Sequence, residues 1–356
     1  MFTNNRIISA DILRISSAFL VVILHVSGLI WTIIDINSVN WAIINIYNSI
    51  ARCCVQIFIM LSGMFILSPK KNITTRNIYT KYLPRMVVAL LFWSSIYLIS
   101  FPLNLENIKY IIISILKGQT NYHLWFLYMI IGLYIITPVL RIITSHGNKK
   151  QIEYFLIIGA IISVVVPTLS NYFPFNFISE NINKMYIFMP RAYILYFLLG
   201  FYLTNYDLKK TTKKLIYFLG FSGLLFTIVV TQYSSLKYSK PVDSWQGIFT
   251  INMFFYSIGI FLFLKDVFDK IKFTDRKIKF ISILSSCSFG VFLMHDLFIK
   301  FFTKIGILTD SIKYPIITVP IISIIIFIVC ILISYFIKKI PLLNKYIIWY
   351  FLTYII

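Results

Sequence analysis

The chain has 356 residues, of which 59% are hydrophobic and only 13% are charged, and its formal net charge is +21. Soluble globular domains are about half apolar and about a quarter charged, so this chain has too little polar surface to cover a water-soluble globule. The composition excludes the soluble, disordered, fibrous and disulfide-rich secreted classes and indicates an all-α integral membrane protein.

Apolar runs along the chain predict about ten transmembrane helices, since each run approaches the roughly 20 residues that a spanning helix needs. The runs are 7–31, 42–67, 83–101, 122–144, 152–169, 186–204, 215–233, 247–264, 281–302 and 315–337. The first run is too long for a cleavable signal peptide. The segment 105–116 is too short and too charged to span, and we expect an interfacial or re-entrant helix there.

The basic residues follow loop position. In this topology 22 Lys and Arg residues fall on the side of the N-terminus and 7 fall on the other side. Cytoplasmic loops of membrane proteins collect Lys and Arg, so both termini are predicted to be cytoplasmic. The positive charge is then explained by topology and membrane lipids, and no nucleic-acid partner is expected.

No motif indicates a soluble catalytic module or a metal site. The chain contains no GxxxxGK[ST] loop, no GxGxxG and no HExxH, and its loops are too short for a second domain. The four cysteines lie in apolar runs without metal-site spacing, so no metal is expected. We therefore expect one transmembrane domain over 1–356, without an appended soluble domain, whose chemistry uses the membrane helices and their loops.

Ionisable residues inside the spans are costly in a bilayer and mark function or structural pairing. In the first span, Arg14 and His25 are eleven residues apart, which places them on one helix face about 16 Å apart. Asp11 precedes Arg14 by three residues and is expected to neutralise it. Four further costly polar groups lie at a depth similar to that of His25 and, with it, predict a water-accessible cavity open to the outside: His123, Arg191, His295 and Asp296. Arg52 lies near mid-membrane. Snorkelling to the membrane interface is the alternative for His123 and Arg191.

Several motifs resemble those of the acyltransferase-3 family, which are membrane O-acyltransferases that modify cell-surface glycans. Arg14 and His25 match the family's Arg-x10-His signature in the first span. The segments 58–65 (FIMLSGMF), 123–127 (HLWFL) and 288–295 (SFGVFLMH) are similar to three further family elements. The resemblance covers essentially the whole chain, except that the extracytoplasmic hydrolase-like domain of longer members is not expected here.

The resemblance implies transfer of an acetyl or other short acyl group from acetyl-CoA to a hydroxyl of a cell-surface polysaccharide or its lipid-linked precursor. It implies that His25 is catalytic, as a base or a transient acyl carrier, and that Arg14 serves the coenzyme-A donor. In the basic loop 68–85 we expect Arg76 and Arg85 to contact donor phosphates, although anionic lipid headgroups also explain such a loop. The residues expected to bind the acceptor are Arg52, His123, Trp125, Arg191 and His295. The implied location is the bacterial cytoplasmic membrane.

A multi-span transporter or flippase for a glycan, lipid or small solute is the alternative interpretation. Transporters often contain repeated halves with broken helices at matching positions. The buried charges of this chain do not fall at matching positions in two halves, and the shared face of Arg14 and His25 favours the enzyme.

Overall fold

The computed structural model describes residues 6–99, 105–172, 176–189, 191–307 and 314–341. Every regular element within these ranges is helical, which confirms the predicted fold class. Two π-helical turns, Ile78–Tyr82 and Ile161–Val165, connect α4 to α5 and α8 to α9. The α-helices in chain order are α1 (Ile8–Ile30), α2 (Val39–Ala51), α3 (Cys54–Ile66), α4 (Thr75–Asn77), α5 (Leu83–Leu98), α6 (Leu105–Leu116), α7 (Trp125–His146), α8 (Lys149–Ala160), α9 (Val166–Tyr172), α10 (Asn176–Lys184), α11 (Tyr193–Asn205), α12 (Lys210–Tyr238), α13 (Ile251–Phe268), α14 (Asp275–Lys304) and α15 (Pro315–Ile337).

Eight helical segments within the described ranges are long and apolar enough to cross a membrane, and each coincides with a predicted span. They are Ile8–Ile30, Val39–Ile66, Tyr122–His146, Lys149–Ser170, Lys210–Tyr238, Ser244–Phe268, Asp275–Lys304 and Pro315–Ile337.

The two remaining predicted spans contain shorter helices, α5 with 16 residues and α11 with 13 residues. Residues 100–101 and 190 of these spans lie outside the described ranges. The prediction of a helix from 186 onwards is wrong for the described residues before α11, because Tyr186 and Ala192 have positive φ angles of 53° and 58°. A left-handed backbone at non-glycine residues interrupts a right-handed helix.

Helix α1 lies at the centre of the bundle and packs against α2, α3, α13, α14 and α15. Its residues Ala10, Ala18, Val22 and Val26 are fully buried. Since protein surrounds this helix, its polar side chains face other side chains and avoid the cost of contact with lipid. We call the side of the bundle at which α1 begins the inner side and the opposite side the outer side.

Side chains in the loops fix the starts of the following helices. The Ser38 hydroxyl accepts a hydrogen bond of 3.2 Å from the backbone N–H of Trp41 at the start of α2. Asn148 and Gln151 form a reciprocal capping box at the start of α8. These bonds satisfy N–H groups that have no partner within the first helical turn.

Helices α3 and α11 cross at two glycines. A Cβ atom on Gly63 would lie 1.7 Å from the carbonyl oxygen of Phe197, and one on Gly200 would lie 1.8 Å from the carbonyl oxygen of Met60. Only glycine permits this backbone approach, which is a common device for packing helices in membranes. The crossing fixes the position of α3, whose side chains line a cavity near Arg14.

The helix predicted at 105–116 is present as α6, and Ser114 is its one buried residue. Its end residues Leu105 and Leu116 are 84% and 81% exposed. Such a helix covers little of the protein interior, and its location at the membrane interface stays a prediction.

Candidate active site

Asp11 organises the inner end of α1. Its Oδ1 atom accepts hydrogen bonds from the Ser285 hydroxyl at 2.6 Å and from Nη1 of Arg14 at 3.5 Å. Its Oδ2 atom accepts a bond from Nε of Arg6 at 2.5 Å. Asp11 is completely buried and Arg14 is 2% exposed. The expected pairing of Asp11 with Arg14 is confirmed, and the carboxylate offsets part of the positive charge of two guanidinium groups that would otherwise be costly to bury.

Helices α1 and α14 meet at two levels and run parallel. At the inner level, Ser285 of α14 contacts both Asp11 and Arg14. At the outer level, His295 of α14 stacks on His25, with ring centroids 5.0 Å apart and planes at 24°. The two contacts are ten or more residues apart on each helix, so they fix both the direction and the register of the pair.

Three histidines converge at the outer level. The ring of His295 lies 5.0 Å from that of His25 and 4.8 Å from that of His123, measured between centroids. His25 is partly exposed. His295 is fully buried and His123 is 2% exposed. The cluster brings together three predicted site residues, from α1, α14 and the turn before α7, and their shared water-accessible cavity stays a prediction.

The backbone of α14 selects the tautomer of His295. Its Nδ1 atom lies 2.7 Å from the carbonyl oxygen of Phe292 and 3.2 Å from that of Val291. Both partners accept hydrogen bonds, so Nδ1 must carry the proton and Nε2 of the neutral ring holds a lone pair. This Nε2 atom is buried and has no hydrogen-bond partner among the residues that the structure describes. The free lone pair can therefore take up a proton from a neighbouring group.

Asp296, next in the chain, gathers three donors. Its Oδ1 atom accepts a hydrogen bond of 2.7 Å from the Tyr122 hydroxyl. Its Oδ2 atom accepts one of 2.6 Å from the Asn121 side chain and lies 3.0 Å from Nζ of Lys300. Tyr122 also contacts the ring of His25, with centroids 4.9 Å apart. The carboxylate thus holds the turn before α7 against α14, beside His25.

An open pocket of about 570 Å³ adjoins the histidines on the outer side. Polar groups for recognition of a polar ligand are present in its wall, together with an apolar strip. The residues that line it are His25, Gly28, Leu29, Tyr122, Asp296, Ile299, Lys300, Thr303 and Lys304. This outer pocket gives a ligand from the outer side access to His25.

A second, narrow cavity connects the level of Arg14 with the level of the histidines. It is apolar apart from Arg14 and Ser62 and is lined by Arg14, Phe58, Leu61, Ser62, Phe126, Phe289 and Phe292. Phe292 closes its outer end, because the Phe292 ring also packs 5.5 Å from His123 and 6.2 Å from His295. We call this cavity the phenylalanine channel. A ligand that extends from Arg14 to His25 must displace the Phe292 ring.

Arg52 approaches the histidines from the break between α2 and α3. Its Nε atom donates to Oδ1 of Asn48 at 2.8 Å, and its Nη2 atom lies 3.9 Å from the Asp243 carboxylate. Asn48 in turn donates to the Ser27 hydroxyl of α1 at 3.2 Å. Arg52 is thus linked through Asn48 to α1 at Ser27, two residues after His25.

Other predicted site residues lie elsewhere. Arg191 lines a separate pocket of about 360 Å³, where it donates to Oδ1 of Asn183 at 3.1 Å. Trp125 is 38% exposed and packs 5.7 Å from Tyr193, between ring centroids. Arg76 is exposed and Arg85 is half-buried, both on the inner side. The sequence predicted how deep Arg191 lies in the membrane but not the direction in which its side chain points. In the structure Arg191 does not lie with the histidines.

Sequence reasoning assigned no role in the site to three residues that the structure places in it. Tyr122 and Asn121 precede the predicted His123, and both bond to Asp296. Ser285, which lies ten residues before His295, completes the Asp11 network. Adjacency to His123 is the signal that could have pointed to Asn121 and Tyr122, whereas no local pattern marks Ser285, which lies nearly three helical turns before His295.

Comparison with known proteins agrees with the motifs. A family model described as an acyltransferase domain, acyltransferase 3, matches residues 7–339. No curated protein and no solved structure matches the chain. Within the described ranges, no group of three or more His, Cys, Asp and Glu residues is arranged to hold a metal ion.

Proposed function

Because the chain belongs to the acyltransferase-3 family, we propose that it transfers an acetyl or other short acyl group from acyl-CoA to a hydroxyl of a surface polysaccharide or its lipid-linked precursor. The chain is a multi-pass membrane protein with the family's acyltransferase domain. The family match favours an enzyme over a transporter or flippase. The proposed location is the cytoplasmic membrane of a bacterium.

The observation that carries the proposal is the placement of Arg14 at the inner end of the phenylalanine channel and of His25 beyond Phe292 at its outer end. Arg14 lines the channel, and Phe292 at its other end packs against the ring of His295, which stacks on His25. Along α1 the two residues are about 16 Å apart, which is on the order of the length of a pantetheine arm. Donor phosphates held at the inner end would therefore bring a thioester to His25.

The acceptor is proposed to enter through the outer pocket. Asp296, Tyr122 and Lys300 offer a carboxylate, a phenol and an ammonium group to a polyhydroxylated ligand. Arg52, and Trp125 two residues after His123 in the chain, are proposed to contact the more distant sugars. Aromatic side chains of this kind pack against the apolar faces of sugar rings, and the polar groups bind the sugar hydroxyls.

The histidine cluster supports a proton transfer during acyl transfer. The acceptor oxygen attacks the thioester carbonyl carbon while its proton passes to His25. The C–S bond then breaks, and the departing coenzyme-A thiolate takes the proton. Removal of a general base typically slows such a reaction by about 10²–10⁴-fold. His295 is proposed to share the proton through its free Nε2 lone pair.

An alternative chemistry uses the same geometry. The His25 imidazole attacks the thioester carbon, the C–S bond breaks, and the coenzyme-A thiolate leaves with the proton that the acylated ring releases. The acceptor oxygen then attacks the acyl carbon, the C–N bond breaks, and the hydroxyl proton returns to the imidazole. The two chemistries differ in one observable, because only the second places the acyl group on the protein.

The test uses membranes that contain the protein, acetyl-CoA labelled in the acetyl group and a lipid-linked glycan acceptor. Wild-type membranes should transfer label to the glycan, and the Arg14→Ala and His25→Ala variants should not. Equal label on the glycan in all three samples contradicts the proposal. Label retained on wild-type protein but absent from His25→Ala indicates the acyl-histidine route.

A further inference from the structure

One face of α3 continues the phenylalanine channel to the inner side. Phe58, Leu61 and Ser62 line the channel. Phe65 occupies the next position of the same i, i+3, i+4, i+7 stripe and lies about 10 Å further along the helix than Phe58. Phe65 is 4% exposed. Its ring therefore forms the wall beyond the inner end of the channel.

Two cations contact this ring. Nζ of Lys71 lies 4.5 Å from the centroid of Phe65, and the guanidinium carbon of Arg14 lies 5.7 Å from the same centroid. A cation over an aromatic face is attracted to the ring, but the ring does not neutralise its charge. Arg14 and Lys71 thus place two positive charges at the inner end of the channel.

Lys71 is held at this position by its own loop. Arg141 of α7 donates to the carbonyl oxygens of Ile66, Ser68 and Lys71, with the last bond at 2.8 Å. These bonds satisfy carbonyls just beyond the end of α3 and fix the backbone of the loop. The backbone of Lys71 is therefore anchored to α7, and its side chain contacts the buried ring of Phe65.

The local charge is not balanced by acidic residues. Among the residues that the structure describes, no carboxylate forms an ion pair with Lys71. Asp11 pairs with both Arg6 and Arg14. Burial, together with the charge of Arg14, lowers the pKa of Lys71 to about 8. An anion at this position would relieve the repulsion and restore the charge of the ammonium group.

We propose that Lys71 and Arg14 bind a phosphate group of the acyl donor between them, beside Phe65. This inference rests on the proposed function and assigns the donor end of the channel to Lys71, which is half-buried, in preference to the exposed Arg76. Phosphate is the expected ligand because its charge matches two cations and its oxygens accept from both. The acyl arm then extends from this phosphate-binding site into the phenylalanine channel.

The first test compares donor kinetics of Lys71→Met, Lys71→Arg and the matched control Lys70→Met. Lys70 is the exposed neighbour of Lys71 in the same loop. Lys71→Met should raise KM for acetyl-CoA about tenfold or more with little change in kcat, since it removes binding made equally in the ground and transition states. Lys71→Arg should restore the KM, and Lys70→Met should keep the wild-type KM. An unchanged KM in Lys71→Met overturns the inference.

The second test is the pH dependence of donor binding. With a pKa of about 8 in the free protein, Lys71 loses its charge as the pH rises from 7 to 9, and KM should rise about tenfold. The neighbouring charged groups are Arg14, Arg141 and Asp11, and the two guanidinium groups stay protonated in this range. Lys71→Arg should abolish this rise, because a guanidinium group stays protonated. A rise that persists in Lys71→Arg contradicts the assignment.

Equilibrium binding of free coenzyme A separates this inference from the proposed function. If wild-type protein binds coenzyme A and Lys71→Met does not, the result supports the phosphate-binding site, whether or not acyl transfer occurs. Dephospho-coenzyme A shows whether the 3′-phosphate or the pyrophosphate is bound. The same measurement in phosphatidylglycerol and phosphatidylcholine nanodiscs tests the other source of phosphate. If phosphatidylglycerol binds through Lys71 and coenzyme A does not, the donor assignment is wrong.

Discussion

The imidazole rings of His25 and His295 stack at 5.0 Å between centroids, with an angle of 24° between their planes. The two residues come from parallel helices at the centre of the bundle. His295 is fully buried, and its Nδ1 atom donates to the Phe292 carbonyl oxygen at 2.7 Å. One histidine of the pair is thus partly open to the outer pocket, and the other is held in a single tautomer behind it.

Replacement of His295 by phenylalanine should keep the stacked ring and remove the Nε2 lone pair. We expect kcat for acyl transfer to fall by about 10²-fold, at the lower end of general acid–base effects, with a smaller change in KM. The control is His146→Phe, since His146 is an exposed histidine at the end of α7. Activity of His295→Phe close to that of wild type would show that the lone pair has no role in proton transfer.

Replacement of Asp11 by asparagine should destabilise the protein. Arg6 and Arg14 both pair with this carboxylate, and its loss leaves buried positive charge without compensation. Breaking a buried pair in this way costs about 3–5 kcal/mol of unfolding free energy. Thermal unfolding in detergent is the measurement, with Asp275→Asn as the control because Asp275 is exposed. Equal melting temperatures for the two variants would rule out a structural role for the Asp11 network.

Replacement of Phe292 by alanine should relax selection of the acyl chain. The Phe292 ring closes the phenylalanine channel against His123 and His295. Space for additional methylene groups changes discrimination by about 10–200-fold per group in a hydrophobic pocket. The ratio of kcat/KM for butyryl-CoA to that for acetyl-CoA should therefore rise at least about tenfold. A ratio that does not change would show that the acyl group does not pass this ring.

The crossing of α3 and α11 should not tolerate a methyl group. Gly63→Ala and Gly200→Ala would each bring Cβ within 2 Å of a carbonyl oxygen, at the 1.7 and 1.8 Å separations given above. Gly132 of α7 is the matched control, because a Cβ there meets no atom within 4 Å. Gly132→Ala should stabilise the protein by about 0.5–1 kcal/mol, whereas the other two should lower the melting temperature. Three similar melting temperatures would contradict the close crossing.

Helical periodicity predicted the parts of the site that lie on one element. The shared face of Arg14 and His25 follows from their spacing, and the i, i+3 pairing of Asp11 with Arg14 follows in the same way. Contacts between different helices could not be predicted in this way. That Ser285 would complete the Asp11 network depends on the register of α14 against α1, which no local pattern encodes.

Depth along the spans predicted which polar residues share a level, and it placed His123 and His295 with His25. It could not give the direction in which each helix presents a residue. Arg191 therefore lines a separate pocket although its level was expected to match. The predicted helix was too long at this end for a similar reason. Apolar composition does not reveal the positive φ angle of Ala192, which immediately precedes α11.

The most direct test of the account is the single-turnover rate of acyl transfer at saturating acetyl-CoA, measured for wild-type protein and His25→Ala. Saturating donor removes any effect on binding, so the rate reports on the acyl-transfer step alone. If His25 acts in the acyl-transfer step, the rate should fall by at least about 10²-fold in His25→Ala, while coenzyme-A binding to that variant is retained. A variant that transfers the acyl group at the wild-type rate would contradict the role of His25.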